Sequence, residues 1–185
     1  CANMQEDQAA FEAWILLAKG IGFNHGMKYL LEWTDLPDIS SPHDGRFLFR
    51  VNNFKNLFSW FDCNSSISAN YAGKKLVVNK PNGEAHSLPT NIEGQIEAAF
   101  EEDPNNLLRD VVAPKSNFIL AIKLPVGLVE NEKKRGNEIF SASHSAIDLW
   151  ALSDSVLHIF ELKAPGNKKM GAVTELLFYS FFMEN

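Results

Sequence analysis

Two apolar runs close together near the C-terminus, residues 146–152 and 156–163, flank Ser153-Asp154-Ser155 and predict a β-hairpin. Strand side chains alternate between faces, so Glu161 and Lys163 share one face and Leu162 points to the other. With Asp154-Ser155 as a two-residue loop, Ser153 pairs with Val156 and Asp148 falls directly opposite Glu161. A three-residue loop would send Asp148 to the other face. Upstream, residues 5–19 carry Ala9, Phe11, Trp14, Ile15, Leu16 and Leu17 in the pattern of an amphipathic helix ending at Gly20. Residues 27–33 read as a second short helix and 53–61 as a third. Residues 75–88 read as a hairpin turning at Pro81-Asn82-Gly83.

Thr90-Asn91-Ile92-Glu93 opens another helix, with Ile92, Ile96 and Phe100 spaced to face the core and Asp103-Pro104 closing it. Residues 117–124 form the expected first core strand, continuing irregularly through Pro125 and Gly127. A polar loop over 130–143 follows and leads into the hairpin. After a loop at 164–169, residues 171–184 form a helix that is apolar nearly all round. The expected division is an N-terminal α+β region, 1–88, and a core, 89–185, joined near residues 85–91. Helices followed by the 75–88 hairpin admit a winged-helix-like reader of DNA or, more plainly, small α+β packing.

Composition narrows the classes. At 185 residues, with 45% hydrophobic side chains including 14 Phe and 4 Trp, the chain is globular and large enough for a real core. No apolar run is long enough to span a membrane. The net charge is −6, and residues 114–185 carry equal numbers of acidic and basic side chains, so the excess acid lies wholly in residues 1–113. That balance excludes a generic polybasic coat for nucleic acid. Local positive charge stands at Lys133-Lys134-Arg135 and at Lys168 and Lys169, with a phosphate contact or an ordinary solvated loop as its two readings. Cys1 and Cys63 make neither a disulfide framework nor a metal site, and the five His show no ligand spacing. A reduced, cytoplasmic setting is the expectation. A first residue Cys1 reads as a trimmed fragment or, as the lesser reading, a lipoprotein processed at its cysteine.

The chemistry concentrates in the hairpin. Directly opposed strand residues have Cβ atoms about 4.5–5.5 Å apart, and like charges there destabilise. Asp148 facing Glu161 therefore asks for a cation, either Lys163 or a divalent metal; the bland alternative is a solvated polar face. The pattern Asp148, a short gap, then Glu161-Leu162-Lys163 resembles the signature of the PD-(D/E)xK nucleases, the restriction-endonuclease-like superfamily. Glu175 and Tyr179, four apart on one helix face, resemble the Gln-x-x-x-Tyr motif that follows it in several branches, with Glu in place of Gln. The segments 124–128, 145–150, 160–163 and 175–179 together are similar to a largely uncharacterised bacterial group of that superfamily. The resemblance covers roughly residues 90–185.

The resemblance implies an α/β fold with an αβββα core and a mixed sheet, preceded by the small α+β region. It implies Mg²⁺ or Mn²⁺ held by Asp148, Glu161 and the backbone carbonyl of Leu162, with Lys163 orienting water or stabilising phosphate charge, and Glu175 and Tyr179 supporting from the second helix. The first helix often adds an acid, here Glu93 or Glu97. For Glu93 the competing reading is a capping box with Thr90, and for Glu97 a solvated helix flank. His144 and Ser145 stand where they would line the mouth of the site. The superfamily core has a last strand after the second helix, so a chain ending at Asn185 is expected to be a fragment or to be completed by a partner, as in a homodimer. The expected activity is metal-dependent phosphodiester hydrolysis of nucleic acid, DNA rather than RNA. The alternative is a non-catalytic nucleic-acid- or protein-binding module on the same fold.

Overall fold

The computed structural model describes residues 3–21, 26–33, 42–63, 75–78, 90–102, 118–132, 134, 136–140, 145–153 and 155–184. Among them are four α-helices: α1 (Phe11–Gly20), α2 (Pro42–Leu57), α3 (Ile92–Glu102) and α4 (Gly171–Glu184). The strands are β1 (Tyr29–Leu31), β2 (Phe61–Cys63), β3 (Lys75–Val78), β4 (Phe118–Val129), β5 (Glu138–Phe140), β6 (Ala146–Ser153) and β7 (Val156–Phe160). The protein is thus mixed α/β, with parallel and antiparallel pairing both present. The larger sheet has the order β3-β4-β6-β7, with β5 on β4. No helix among the described residues is long and apolar enough to cross a membrane.

The contacts divide the chain into two compact units that cut across the expected boundary after residue 88. Unit 1 comprises residues 1–77, 127–141 and 169–185, and unit 2 comprises 78–126 and 142–168. Helix α4 therefore belongs with the N-terminal segment. Residues 27–33 are not a helix: Tyr29–Leu31 pairs parallel with Phe61–Cys63, and α2 is the crossover between the two strands. Tyr29, Leu30 and Leu31 gain a partner strand that a local reading of the sequence cannot see. The helix expected at 53–61 is the end of α2, and Phe61 already belongs to β2. The expected polar loop over 130–143 contains β5, whose Ile139 and Phe140 are buried.

Unit 1 has an aromatic core. Phe49 meets Phe140 and Phe178 edge-on at 5.7 and 5.8 Å, and Phe11, Phe54 and Phe61 form a second group with centroids 4.8–6.0 Å apart. Each such pair adds roughly 0.5–1.5 kcal/mol beyond its buried area. Within this core Glu12 and Arg50 are both essentially inaccessible, at 0% and 1% exposure. Arg50 donates to Glu12 through Nε at 2.6 Å and through Nη2 at 2.5 Å. Nη2 also reaches the Ala9 carbonyl at 2.5 Å, and Thr174 Oγ1 donates to Glu12 Oε2 at 3.2 Å. Every charge there has several partners, the condition under which a buried pair is tolerable. Trp14 and Leu17 on the same helix are 48% and 43% exposed, so α1 turns its glutamate inward and part of its apolar stripe outward.

Unit 2 is built on an antiparallel meander. Strand β6 pairs with β4 from Phe118↔Ser153 to Pro125↔Ala146, and with β7 from Ser153↔Val156 to Leu149↔Phe160. The Ser153↔Val156 pair makes the hairpin loop two residues long, as expected, with Ser155 at φ 70 in the left-handed region. Along β6, Ile147, Leu149 and Ala151 are fully buried, while Asp148 and Trp150 on the other face are half-buried. Leu149 and Ala151 pack with Phe100, Phe160 and Leu162. Burying a side chain such as Leu149 stabilises by about 1.5–3 kcal/mol. That packing fixes which face carries Asp148.

Candidate active site

The site grows from the end of the β6–β7 ladder. Leu149↔Phe160 is its last pair, and one further step in the same register would set Asp148 against Glu161. At that step the side chain takes over from the backbone: Asp148 Oδ2 accepts the Leu162 N–H at 3.0 Å. Strand β7 consequently stops at Phe160 instead of running to Lys163 as the sequence suggested. The carboxylate is anchored to the segment that carries the other two residues of the signature. Glu161 and Lys163, two apart on an extended segment, meet at 2.5 Å between Lys163 Nζ and Glu161 Oε1. Glu161 is nearly buried at 4% exposure, and Lys163 is partly open at 21%.

Helix α3 supplies the remaining acids. Asn91 caps it, its Oδ1 accepting from the Gly94 N–H at 2.7 Å. The capping box expected of Thr90 and Glu93 is not used. Instead Glu93 Oε1 accepts the Ala164 N–H at 2.9 Å. It thereby pins the start of a tight turn in which Asn167 N–H returns to Ala164 O at 3.0 Å, Pro165 sits in second place and Gly166 takes φ 91. Ile92, expected in the core, is 53% exposed. The partly buried positions are Glu93, Gly94, Ile96, Glu97, Ala98 and Phe100, so both candidate acids of α3, Glu93 and Glu97, lie on its packed side. Ser145 is buried at 5% and does not line an open mouth; its carbonyl accepts the Val126 N–H at 2.9 Å.

A residue outside the signature completes the group. Lys123 on β4 places Nζ 2.7 Å from Glu97 Oε1 and 3.6 Å from Asp148 Oδ1. Burial by itself works against the charge on this lysine, but the hydrogen bond to Glu97 and the charges of Glu97 and Asp148 outweigh it and hold the pKa above the ordinary lysine value. The ammonium is charged throughout the neutral range. Glu97 is thus neither a solvated flank nor alone in the site; it is 15% exposed and joined to Asp148 through Lys123. The only sequence signal for Lys123 is a single cation inside an otherwise apolar strand.

The group therefore sets three carboxylates, Glu97, Asp148 and Glu161, against two ammonium groups, Lys123 and Lys163. The balance leaves a net negative charge. Among the described residues no three His, Cys, Asp or Glu side chains come together as a metal-binding group. The chemistry of the donors fits a hard divalent ion through Asp148 and Glu161, two oxygen donors on adjoining positions of one hairpin, with backbone carbonyl or water as further ligands. It does so only with an ammonium displaced from each acid.

Glu175 and Tyr179 belong to unit 1. Both are buried, at 1% and 3% exposure. Glu175 Oε1 accepts from Gln5 Nε2 at 2.6 Å, the partner that a buried carboxylate requires. The N-terminal segment also meets the start of α4: the Met170 N–H donates to Asp7 Oδ1 at 2.7 Å, and Lys169 pairs with Glu6 at 2.8 Å. Of the basic residues flagged as phosphate contacts, Lys134 pairs with Glu132. Lys133, Arg135, His144 and the 81–83 turn of the expected upstream hairpin lie outside the described residues. No protein-family model, no curated protein and no solved structure matches this chain.

Proposed function

We propose that unit 2 is the reaction centre of a divalent-metal-dependent nuclease on a restriction-endonuclease-like framework, hydrolysing phosphodiester bonds of DNA in preference to RNA. One observation carries the proposal: Lys163 Nζ lies 2.5 Å from Glu161 Oε1, while the intervening Leu162 is tied by its N–H to Asp148. Two acids and a lysine from a three-residue segment and its hairpin partner are thereby held as one constellation. The residues that would hold Mg²⁺ or Mn²⁺ are Asp148, Glu161 and the Leu162 carbonyl. When bound, such an ion supplies Lewis-acid polarisation of the phosphate and a more acidic water.

The protein's own residues do the rest. The backbone bond from Leu162 fixes the Asp148 carboxylate, so its orientation does not depend on a ligand. Glu161, nearly buried, is held by Lys163, and an ammonium beside the reacting phosphate stabilises the charge that grows there during attack. Glu93, by holding Ala164, keeps the turn after Lys163 from carrying the lysine away. Helix α3 is therefore a brace for the site. The chain order α3, β4, β5, β6, β7, α4, in which β4, β6 and β7 form an antiparallel meander between two helices, supports the framework reading.

A second reading has an observation of its own in its favour. Each acid of the group already has a cation or a backbone donor, which is what a self-neutralised, non-catalytic binding module would show. Cleavage assays on single- and double-stranded DNA and RNA with Mg²⁺ or Mn²⁺, comparing the wild type with Lys163→Ala, decide between the two. Metal-dependent cleavage that falls on loss of Lys163 is expected. A wild-type chain that cuts none of these substrates, and whose stability does not respond to either metal, would give the site to the binding module.

A further inference from the structure

Lys123 has an unusual backbone and an unusual position. Its φ is 49, in the left-handed region, although the residues on either side pair regularly as Ile122↔Leu149 and Leu124↔Ile147. A non-glycine residue in that conformation is rare within a strand. The register is the same before and after it, so no extra residue has been inserted. The ammonium at the end of this residue makes a close bond to Glu97, 2.7 Å, and a longer contact with Asp148, 3.6 Å.

We infer that Lys123 is the resident counter-ion of the Asp148 site, neutralising Asp148 until a divalent cation replaces it, and that Glu97 holds the ammonium so that only the longer contact must break. This rests on the proposed reading of Asp148 and Glu161 as metal ligands. An ion arriving at Asp148 displaces the 3.6 Å contact and leaves the 2.7 Å bond to Glu97 intact. The lysine is 38% exposed on a flexible stem, so it has room to draw back. While it stays near, its positive charge opposes the incoming ion; without Glu97 it would settle fully on Asp148 and oppose the ion more. Lys123 and Glu97 are thus positioning residues with opposite signs. Glu97 acts on the metal through the lysine, not as a ligand.

The test is calorimetric titration of Mn²⁺ and Mg²⁺ into the nucleic-acid-free protein, with no activity measured. Wild type, Asp148→Asn, Lys123→Met, Glu97→Gln and the Lys123→Met/Glu97→Gln double variant are compared. Lys123→Met should bind metal about tenfold more tightly than wild type, because one like charge a few ångströms away has gone. Glu97→Gln should bind more weakly, and the double variant should return to the Lys123→Met value. Lys123→Asn, whose side chain tolerates the left-handed backbone, serves if the methionine variant does not fold. A Lys123 variant with unchanged or weaker affinity, in a protein whose metal binding still requires Asp148, would overturn the inference and leave the metal site standing. A double variant far weaker than Lys123→Met would also overturn it, by making Glu97 a ligand. Absence of binding in both wild type and Lys123→Met would remove the metal site and the inference together.

Discussion

The protein holds two acid–base groups that differ in one respect, whether the charges are sealed. In unit 1, Arg50 and Glu12 are both out of reach of solvent, joined bidentately, with Ala9 and Thr174 taking up remaining donors and acceptors. In unit 2, the bases are lysines, Lys123 lying 2.7 Å from Glu97 and Lys163 2.5 Å from Glu161, and Lys123 is 38% exposed. A guanidinium presents a planar fork that fixes a carboxylate rigidly, whereas an ammonium is a point charge on a mobile stem. The sealed group suits packing. The open one leaves a lysine in reach of solvent, and on that ground the functional reading is proposed for unit 2.

The largest expected effect tests the sealed side. Glu12→Gln and Arg50→Met should each destabilise the protein by about 3–5 kcal/mol, since each leaves a buried partner uncompensated. In thermal unfolding this appears as a fall of roughly 6–20 °C. Cleavage per folded molecule, measured well below the transition, should not change. Loss of activity without loss of stability would place this pair in the reaction and erase the contrast.

Next comes the open side. Lys163→Ala should lower the cleavage rate by about 10²–10³-fold, the range for removing one group that stabilises transition-state charge. It should lower stability by less than Arg50→Met does, as denaturant titration of the two variants will show. A variant that cuts at the wild-type rate would reduce Lys163 to a partner for Glu161. Smaller again is the metal effect on folding. Mg²⁺ or Mn²⁺ at a hundred times its dissociation constant should stabilise the wild type by about 2.7 kcal/mol, and Asp148→Asn should remove most of that gain. An equal gain in Asp148→Asn would place the ion elsewhere.

The smallest effect concerns Glu175. Its bond from Gln5 can be kept by an amide oxygen, so Glu175→Gln should cost about 1 kcal/mol or less, with little change in cleavage. A large loss of cleavage at unchanged stability would place Glu175 in the reaction.

The hairpin was legible in the sequence because everything that sets it is local. Two apolar runs and a two-residue loop fix the Ser153↔Val156 pair, and a period of two then assigns Asp148, Glu161 and Lys163 to one face. The apolar character of α4, also legible locally, agrees with the burial of Glu175. Other features had no local signature. Tyr29–Leu31 forms a strand because β2, some thirty residues on, offers a parallel edge. Glu93 carries a valid capping pattern, yet Asn91 caps the helix and Glu93 reaches Ala164.

What the sequence determined by itself, then, is the hairpin and, given the two-residue loop that the structure shows, the set of groups on its polar face, since side-chain alternation acts over a few residues. What tertiary structure decided is which charges meet. Lys123 finds Glu97 across 26 positions of sequence and Arg50 finds Glu12 across 38. Neither pair leaves a periodic trace along the chain. Each exists because helix and strand packing brings two side chains into a space where a lone charge could not remain.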